Sequence, residues 1–324
     1  LARQVDTLSM VTGGGLLTSK PHQVDCSEWY GVGNHFSIVR LPVWWRLNEP
    51  LFDGWKYPRF DRIAAFYARA QSPDIVYTRS ANAGRLCVKL GLDTIIEFHM
   101  GVERSELFHI EAVKDNAHLL GVVTISEELK ELYSQAGLPP DKIFVWPDAV
   151  DIDAFDRLPE KESLRKPLGI ARDAFVATYC GHLYTDRGIE EILDCAGTLQ
   201  NVQFLLVGGW KKDMEKRKEE ARHLTNVHFK GFVSHQHVPE YLLASDVLLL
   251  PYSSRCENVV WMSPLKLFEY MTAGCPIVAT DLPALRKHLE DGRNALLVKP
   301  DSPDALANAI QKVMSNKAYA MKLA

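Results

Sequence analysis

The sequence predicts a doubly wound α/β chain in two halves, from three observations. Short apolar runs recur along the chain, separated by helical patterns of roughly ten to fifteen residues. Runs such as DVLLLP (246–251) and PIVAT (276–280) are almost continuously apolar, as strands buried on both faces of a parallel sheet must be. The segment Arg157–Pro167, RLPEKESLRKP, is charged and proline-flanked without apolar period, and it divides the chain into domains at 1–160 and 161–324.

In the first half, strands are expected at Val5–Val11, Ile75–Tyr77, Thr94–Phe98, Val122–Ile125 and Ile143–Val145. In the second they are expected at Phe175–Tyr179, Phe204–Val207, Val227–Phe229, Val247–Leu250, Ile277–Ala279 and Leu296–Val298. The opening LARQVDTLSMV reads as a helix end entering a strand, and the closing KAYAMKLA lies inside a helix. A first strand and the loop after it are therefore expected outside this sequence.

With 324 residues, 47% hydrophobic, 24% charged and a formal net charge of −4, the chain has an ordinary globular composition. That balance argues against a dedicated nucleic-acid binder. No apolar run approaches the roughly 18 residues of a membrane span, and no signal peptide opens the sequence. The six cysteines are scattered without metal-ligand spacing, which fits a reduced, cytoplasmic setting with no structural zinc.

The most informative stretch is Ser263–Asp281, SPLKLFEYMTAGCPIVATD. Ser263 and Pro264 are expected to start a helix, by a side-chain cap followed by proline at the first helical position. Leu265, Phe268 and Met271/Thr272 recur at helical spacing and are expected to face the core, with Lys266 and Glu269 on the other face. Gly274 ends the helix before a strand that stops at Asp281. A helix N-terminus carries free N–H groups and partial positive charge that suit a diphosphate. Glu269 then either accepts hydrogen bonds from ribose hydroxyls or sits in solvent on a plain amphipathic helix.

Upstream, the strand Phe175–Tyr179 runs into CGHLYTDRG, where Gly181 allows close backbone approach and Arg187 precedes a helix start. Arg187 reads equally as a phosphate ligand or a surface ion-pair residue. FLLVGG ends in Gly208 and Gly209, and in VHFKGFV Gly231 follows a strand where backbone groups can meet a flat base.

The order and spacing of ATYCGHLYTDRG, FLLVGG, NVHFKGFV, YLLASDVLLLPY and SPLKLFEYMTAGCPIVATDLPALRKHLEDGRNALLV resemble the family 4 glycosyltransferases (glycosyl transferases group 1). The first half matches more thinly, in DIVYTRS, IIEFH, GVVTISEELKELY and KIFVWPDAVDIDAF. The resemblance implies the GT-B fold: two Rossmann-like domains facing across a cleft, with the nucleotide on the C-terminal one. It implies retaining transfer from a nucleotide-diphosphate sugar to a glycan, lipid-linked or small-molecule acceptor, with no metal or other cofactor required.

Residue by residue, Glu269 matches the second Glu of the family's Glu-x-seven-Glu motif, which binds the donor ribose. Arg187 matches a lysine ligand of the diphosphate. Pro264 and Leu265, beside Ser263, stand where backbone amides meet the phosphates, and Gly231, Phe232 and Val233 where backbone groups read the base. Gly181, His182 and Gly208 belong to the phosphate-side loops. His99 matches the N-domain histidine near the transferred sugar, which a histidine simply satisfied at a strand end would also explain.

Several positions depart from the pattern. Trp261 stands in place of the first motif Glu, which usually holds sugar hydroxyls; Glu257 is a nearby carboxylate. His182 replaces the usual arginine after the loop glycine, which shifts phosphate binding onto Arg187. The linker reads Asp148-Ala149-Val150-Asp151 instead of Asn-Gly-Val-Asp.

Between Arg40 and Lys89, basic residues outnumber acidic ones and Trp44, Trp45, Phe52, Trp55, Tyr57 and Phe60 are interleaved. This segment reads as an acceptor seat or a peripheral contact with an anionic membrane, or else as a small core with solvated arginines. A nucleotide-sugar epimerase of the same fold and a non-catalytic nucleotide-sugar binder are the alternative functions. A dehydrogenase is poorly supported. GVGNHF (31–36) lacks a third glycine, and Gly13–Gly15 leads into SKPHQ and not a helix. His235 and His237 form a lone HxH in a turn, a weak metal signal.

Overall fold

The computed structural model describes residues 7–14, 22–24, 36–42 and 57–324. The chain forms two compact units, Leu1–Pro147 and Asp148–Ala324.

The first unit contains two sheets. Strands β1 (Ser9–Gly14), β2 (His22–Val24) and β3 (Ser37–Pro42) are ordered β1-β3-β2, with β3 parallel to β1 and antiparallel to β2. The other sheet is wholly parallel, in the order β4 (Val76–Thr78), β5 (Thr94–Phe98), β6 (Leu119–Thr124) and β7 (Ile143–Val145). Ile96 and Phe98 bury one face of β5, and Phe98 stacks on Tyr133 at 4.5 Å. Ser80 and Ser126 cap the helices Ala81–Lys89 and Glu127–Gln135 through Ala83 N and Leu129 N. The strand expected at Val5–Val11 runs over Ser9–Gly14, so Gly13 and Gly14 lie inside it. Strands β2 and β3 were not anticipated. Most of GVGNHF and the tryptophans of the basic segment lie outside the described residues.

The second unit is one six-stranded parallel sheet: β8 (Phe175–Cys180), β9 (Val202–Val207), β10 (Val227–Gly231), β11 (Val247–Leu250), β12 (Ile277–Thr280) and β13 (Leu296–Val298). The spatial order is β10-β9-β8-β11-β12-β13, and every pairing is parallel. Strand order reverses between β8 and β11, so the crevice at their carboxyl ends is where a doubly wound sheet receives its ligand. Leu249 packs into the cluster under helices Ile189–Thr198 and Pro303–Ser315, whereas Leu248 and Leu250 pack into the opposite one with Leu267 and Tyr270. Both faces are covered, which is why Val247–Leu250 is apolar throughout.

The division between the units falls at Pro147/Asp148, ahead of the segment expected to carry it. Phe155 is buried in the second unit's core. Within Arg157–Pro167 the chain forms the helix Lys161–Arg165, and Arg165 is buried. Its guanidinium donates to Ala244 O, Arg172 O and Ala174 O and pairs with Asp246 at 2.6 Å. Charges in the segment read as a domain boundary instead tie this helix to the amino-terminal edge of the sheet.

Candidate functional site

The carboxyl ends of β8, β9 and β10 meet through their backbones. Gly181 N donates to Val207 O at 2.8 Å, and Gly208 N donates to Gly231 O at 2.7 Å. Gly208 has φ +106, and a Cβ there would lie 2.5 Å from Gly181 O. A side chain at this position would therefore force the two turns apart. Gly188 (φ +73) starts the helix Ile189–Thr198, and a Cβ on it would meet Pro251 O at 1.7 Å. This contact presses the Thr185–Arg187 turn against the end of β11.

Two cations converge there. The Arg187 guanidinium lies 5.0 Å from the centroid of Tyr252, and Lys266 Nζ lies 5.1 Å from the same ring. Arg187 Nη1 also donates to Cys256 Sγ at 3.3 Å, with the Asp186 carboxylate 3.6 Å from Nε. Lys266 Nζ sits 4.5 Å from the Tyr179 centroid and donates to Tyr179 Oη at 3.0 Å. Tyr179 Oη in turn donates to His182 O at 2.6 Å. Among the described residues no carboxylate lies within ion-pairing distance of Lys266. Burial, and then Arg187, lowers the Lys266 amine to about 8. Two positive groups, of which only Arg187 has a carboxylate within ion-pairing distance among the described residues, form a site for an anion.

The helix Leu265–Thr272 starts beside these cations. The expected Ser263 cap is not made: Ser263 Oγ accepts from Asp148 N at 3.0 Å instead. Pro264 occupies the N-cap position in an extended conformation and Leu265 is the first helical residue, with no side-chain cap. A proline that cannot donate, with a serine turned toward the Asp148 backbone, leaves the first-turn N–H groups uncapped by any side chain. Leu265 and Met271, expected to face the core, are 42% and 45% exposed, and the buried face carries Leu267, Glu269 and Tyr270 instead.

Glu269 is buried and not in solvent as the plain-helix reading had it, with His235 Nδ1 3.5 Å from its carboxylate. Burial raises its pKa, against the lowering influence of His235 and Lys266. Glu257 is exposed, and Trp261 Nε1 is buried without a hydrogen-bond partner. His237 pairs with Glu240, and among the described residues no group of three His, Cys, Asp or Glu side chains is placed to hold a metal ion.

The second unit thus gathers Gly181, His182, Arg187, Gly208, Gly231 with its neighbours Phe232 and Val233, and the helix start Ser263–Leu265 with Glu269 along one sheet edge. His99 belongs to the first unit, just past β5. Its Nε2 hydrogen-bonds the Glu97 carboxylate, which Tyr77 also reaches. Burial pushes the Glu97 carboxyl up, and the His99 and Tyr77 hydrogen bonds outweigh it, leaving it below its ordinary value. Lys266 and Tyr252 were not singled out from sequence. The available signal was Lys266 standing three residues before Glu269, on the same helix face.

Comparison with known proteins places this edge in a family. The profile described as "Glycosyl transferases group 1" matches residues 160–324. The chain is 27% identical over 255 residues to the 2-deoxystreptamine glucosyltransferase of Streptomyces kanamyceticus, covering 75% of this chain and 62% of that one. It is 30% identical over 170 residues to TuaC of Bacillus subtilis, a putative teichuronic acid biosynthesis glycosyltransferase, covering 52% and 40%. Across the leading curated relatives it spans between 40% and 62% of their length. Among solved structures, sucrose-phosphate synthase from Thermosynechococcus elongatus superposes with TM-score 0.73 at 20% identity, over 97% of this chain and 81% of that one. Anabaena HepE, crystallised with UDP and glucose, gives 0.68 at 19% identity over 89% and 79%. These likenesses establish the GT-B fold.

Proposed function

The chain belongs to the glycosyl transferases group 1 family, and from that premise we propose that it is a retaining glycosyltransferase whose second unit binds a nucleotide-diphosphate sugar. The observation that carries this reading is the convergence of Arg187 and Lys266 on Tyr252 beside an uncapped helix start. HepE, of the same fold, was crystallised with UDP, which supports a nucleotide at this edge. None of the relatives named above is an epimerase.

In this reading the diphosphate lies between the two cations and the first turn of helix Leu265–Thr272, and Glu269 accepts from the ribose hydroxyls. As the bond from the anomeric carbon to the leaving phosphate breaks, negative charge grows on the diphosphate, and cations already in place stabilise it without reorganising. Arg187 and Lys266 carry the charge that a divalent metal would otherwise supply, so no metal is required. His99 in the first unit is assigned to the transferred sugar, with Glu97 fixing its ring. The acceptor is a glycan, a lipid-linked intermediate or a small hydroxylated molecule. The basic segment Arg40–Lys89 is assigned to acceptor or peripheral membrane contact. Among the described residues no helix is long and apolar enough to cross a membrane.

A thermal-shift screen of nucleotide sugars tests the donor site, because a ligand bound only by the native state raises the midpoint. A UDP- or GDP-sugar is expected to give a shift that Arg187→Ala removes. A full shift retained in Arg187→Ala overturns the assignment.

A further inference from the structure

Tyr252 is followed by two serines that a single carboxylate holds. Ser253 is fully buried, and its Oγ donates to Asp301 Oδ1 at 2.5 Å. Ser254 donates to the other oxygen, Oδ2, through its backbone N at 3.2 Å and through its hydroxyl. Asp301 follows β13 across Lys299 and Pro300 and has φ +55; among the described residues only Ser72 is also a non-glycine residue at positive φ. Aspartate is one of the few residues with a side chain that enter this region, and it persists there where its surroundings over-determine it. Partial burial raises the Asp301 carboxyl, but the hydrogen bonds from Ser253 and Ser254 outweigh this and leave it below its ordinary value. A carboxylate only accepts, so the Ser253 hydroxyl points at it. The hydroxyl's lone pairs are left to Arg255, whose N and Nε donate to them at 3.2 and 3.1 Å.

The held segment reaches Arg187 by two routes. Ser253 N donates to Asp186 O at 3.1 Å, which fastens the Thr185–Arg187 turn. Ser253 O accepts from Cys256 N at 3.1 Å, and Cys256 Sγ accepts from Arg187 Nη1 at 3.3 Å while donating to Asn258 Oδ1 at 2.8 Å. Tyr252, whose ring both cations face, is the residue next to Ser253.

We propose that Asp301 is a positioning residue for the diphosphate site: it clamps Ser253 and Ser254, and through them fixes the Arg187 guanidinium and the Tyr252 ring. The inference rests on the donor-site reading above and adds a residue that touches no ligand. A guanidinium already in place binds an anion without first being ordered, so loosening its supports costs affinity even when its charge is kept.

The test is calorimetric titration of the full chain with UDP, GDP and inorganic pyrophosphate. Asp301→Gly keeps the backbone at positive φ without strain and removes only the carboxylate. It is expected to weaken pyrophosphate and whichever nucleotide binds by about five- to tenfold, the scale of coupling within one hydrogen-bond network. Asp301→Asn, which tolerates the same backbone and still offers Ser253 an acceptor, is expected to recover most of the affinity. Arg187→Lys keeps a charge but has no planar fork to hold against Cys256 and Tyr252. In that background Asp301→Gly is expected to cost at most about twofold, because a residue acting through Arg187 has nothing left to position. Equal losses in the wild-type and Arg187→Lys backgrounds mark a merely structural role and overturn the proposal. Unchanged binding in Asp301→Gly, or an equal loss in Asp301→Asn, overturns the clamp and leaves the donor site standing. Binding of none of the three ligands by the wild type overturns both.

Discussion

Arg187 and Lys266 face one ring: their charged ends lie 5.0 and 5.1 Å from the centroid of Tyr252. Burial and the Arg187 guanidinium hold the Lys266 amine below its usual value, and an anion arriving beside it offsets that cost.

The first prediction follows from the lowered Lys266 amine. In the free protein its charged form is disfavoured, with a pKa of about 8. Above that pH the amine loses its proton and its attraction for a diphosphate. Nucleoside diphosphate affinity is therefore expected to fall as pH rises through about 8, where the ligand's own charge is already constant. Lys266→Arg, which stays charged, should hold affinity to higher pH, and Lys266→Met should be weak and flat. Titrations at a series of pH values check this; a wild-type curve without a break refutes it.

Removing Arg187 is expected to lower turnover by about ten- to a hundredfold, since a charge-assisted hydrogen bond contributes about 1.5–3 kcal/mol. The unfolding midpoint should stay near that of the wild type. Activity should also survive EDTA, which a metal-dependent leaving group would not allow.

Glu269 should show a conflict between stability and binding. Its raised pKa means that the folded chain takes up this proton before the unfolded one does. The group then costs stability as pH rises through the folded pKa. Glu269→Gln is expected to melt at an equal or higher temperature near neutrality while binding UDP or GDP about tenfold more weakly. A lowered melting temperature with unchanged affinity would sink the ribose assignment.

Arg217 tests the support beneath the phosphate loop. It is 1% exposed, donates to Leu183 O at 3.2 Å and pairs with Glu190 and Glu220 at 2.9 and 2.7 Å. Arg217→Ala is expected to cost about 3 kcal/mol in urea unfolding, because it empties a buried site and leaves the Leu183 carbonyl without its donor. It should also weaken nucleotide binding through Leu183, although Arg217 touches no ligand.

Trp261→Phe should be neutral or stabilising by up to about 1 kcal/mol, because it deletes a buried N–H that has no acceptor. If the same change abolishes transfer, that N–H belongs to the sugar.

Much of the second unit could be read from local signals. Continuous apolar runs such as Val247–Leu250 imply strands covered on both faces, and Gly181, Gly208 and Gly231 mark the turns at one sheet edge. Long-range pairings could not be read. Lys266 and Tyr179 are 87 positions apart, and nothing in either neighbourhood announces that the amine lies over the phenol. Ser263 was misread because a serine before proline looks the same whether it caps its own helix or holds the backbone of Asp148. Lys161–Arg165 reads in sequence as part of a domain boundary because the partner of its charges, Asp246, lies on a distant stretch of chain. Strands β2 and β3 were missed because their short runs carry too little period to stand out from loops.

The packing of Gly208 against Gly181 bears on how this protein can diverge. A Cβ on Gly208 would strike Gly181 O, and one on Gly181 would strike Lys266 Nζ at 2.5 Å. Gly208 meets backbone that cannot move aside, and Gly181 holds φ +146, which residues with a side chain rarely adopt, so this corner of the molecule resists gradual change. Lineages that acquire new donors or acceptors must do so through exposed positions such as Trp210 and Phe232. Across descendants, the phosphate corner should stay fixed while its rim varies.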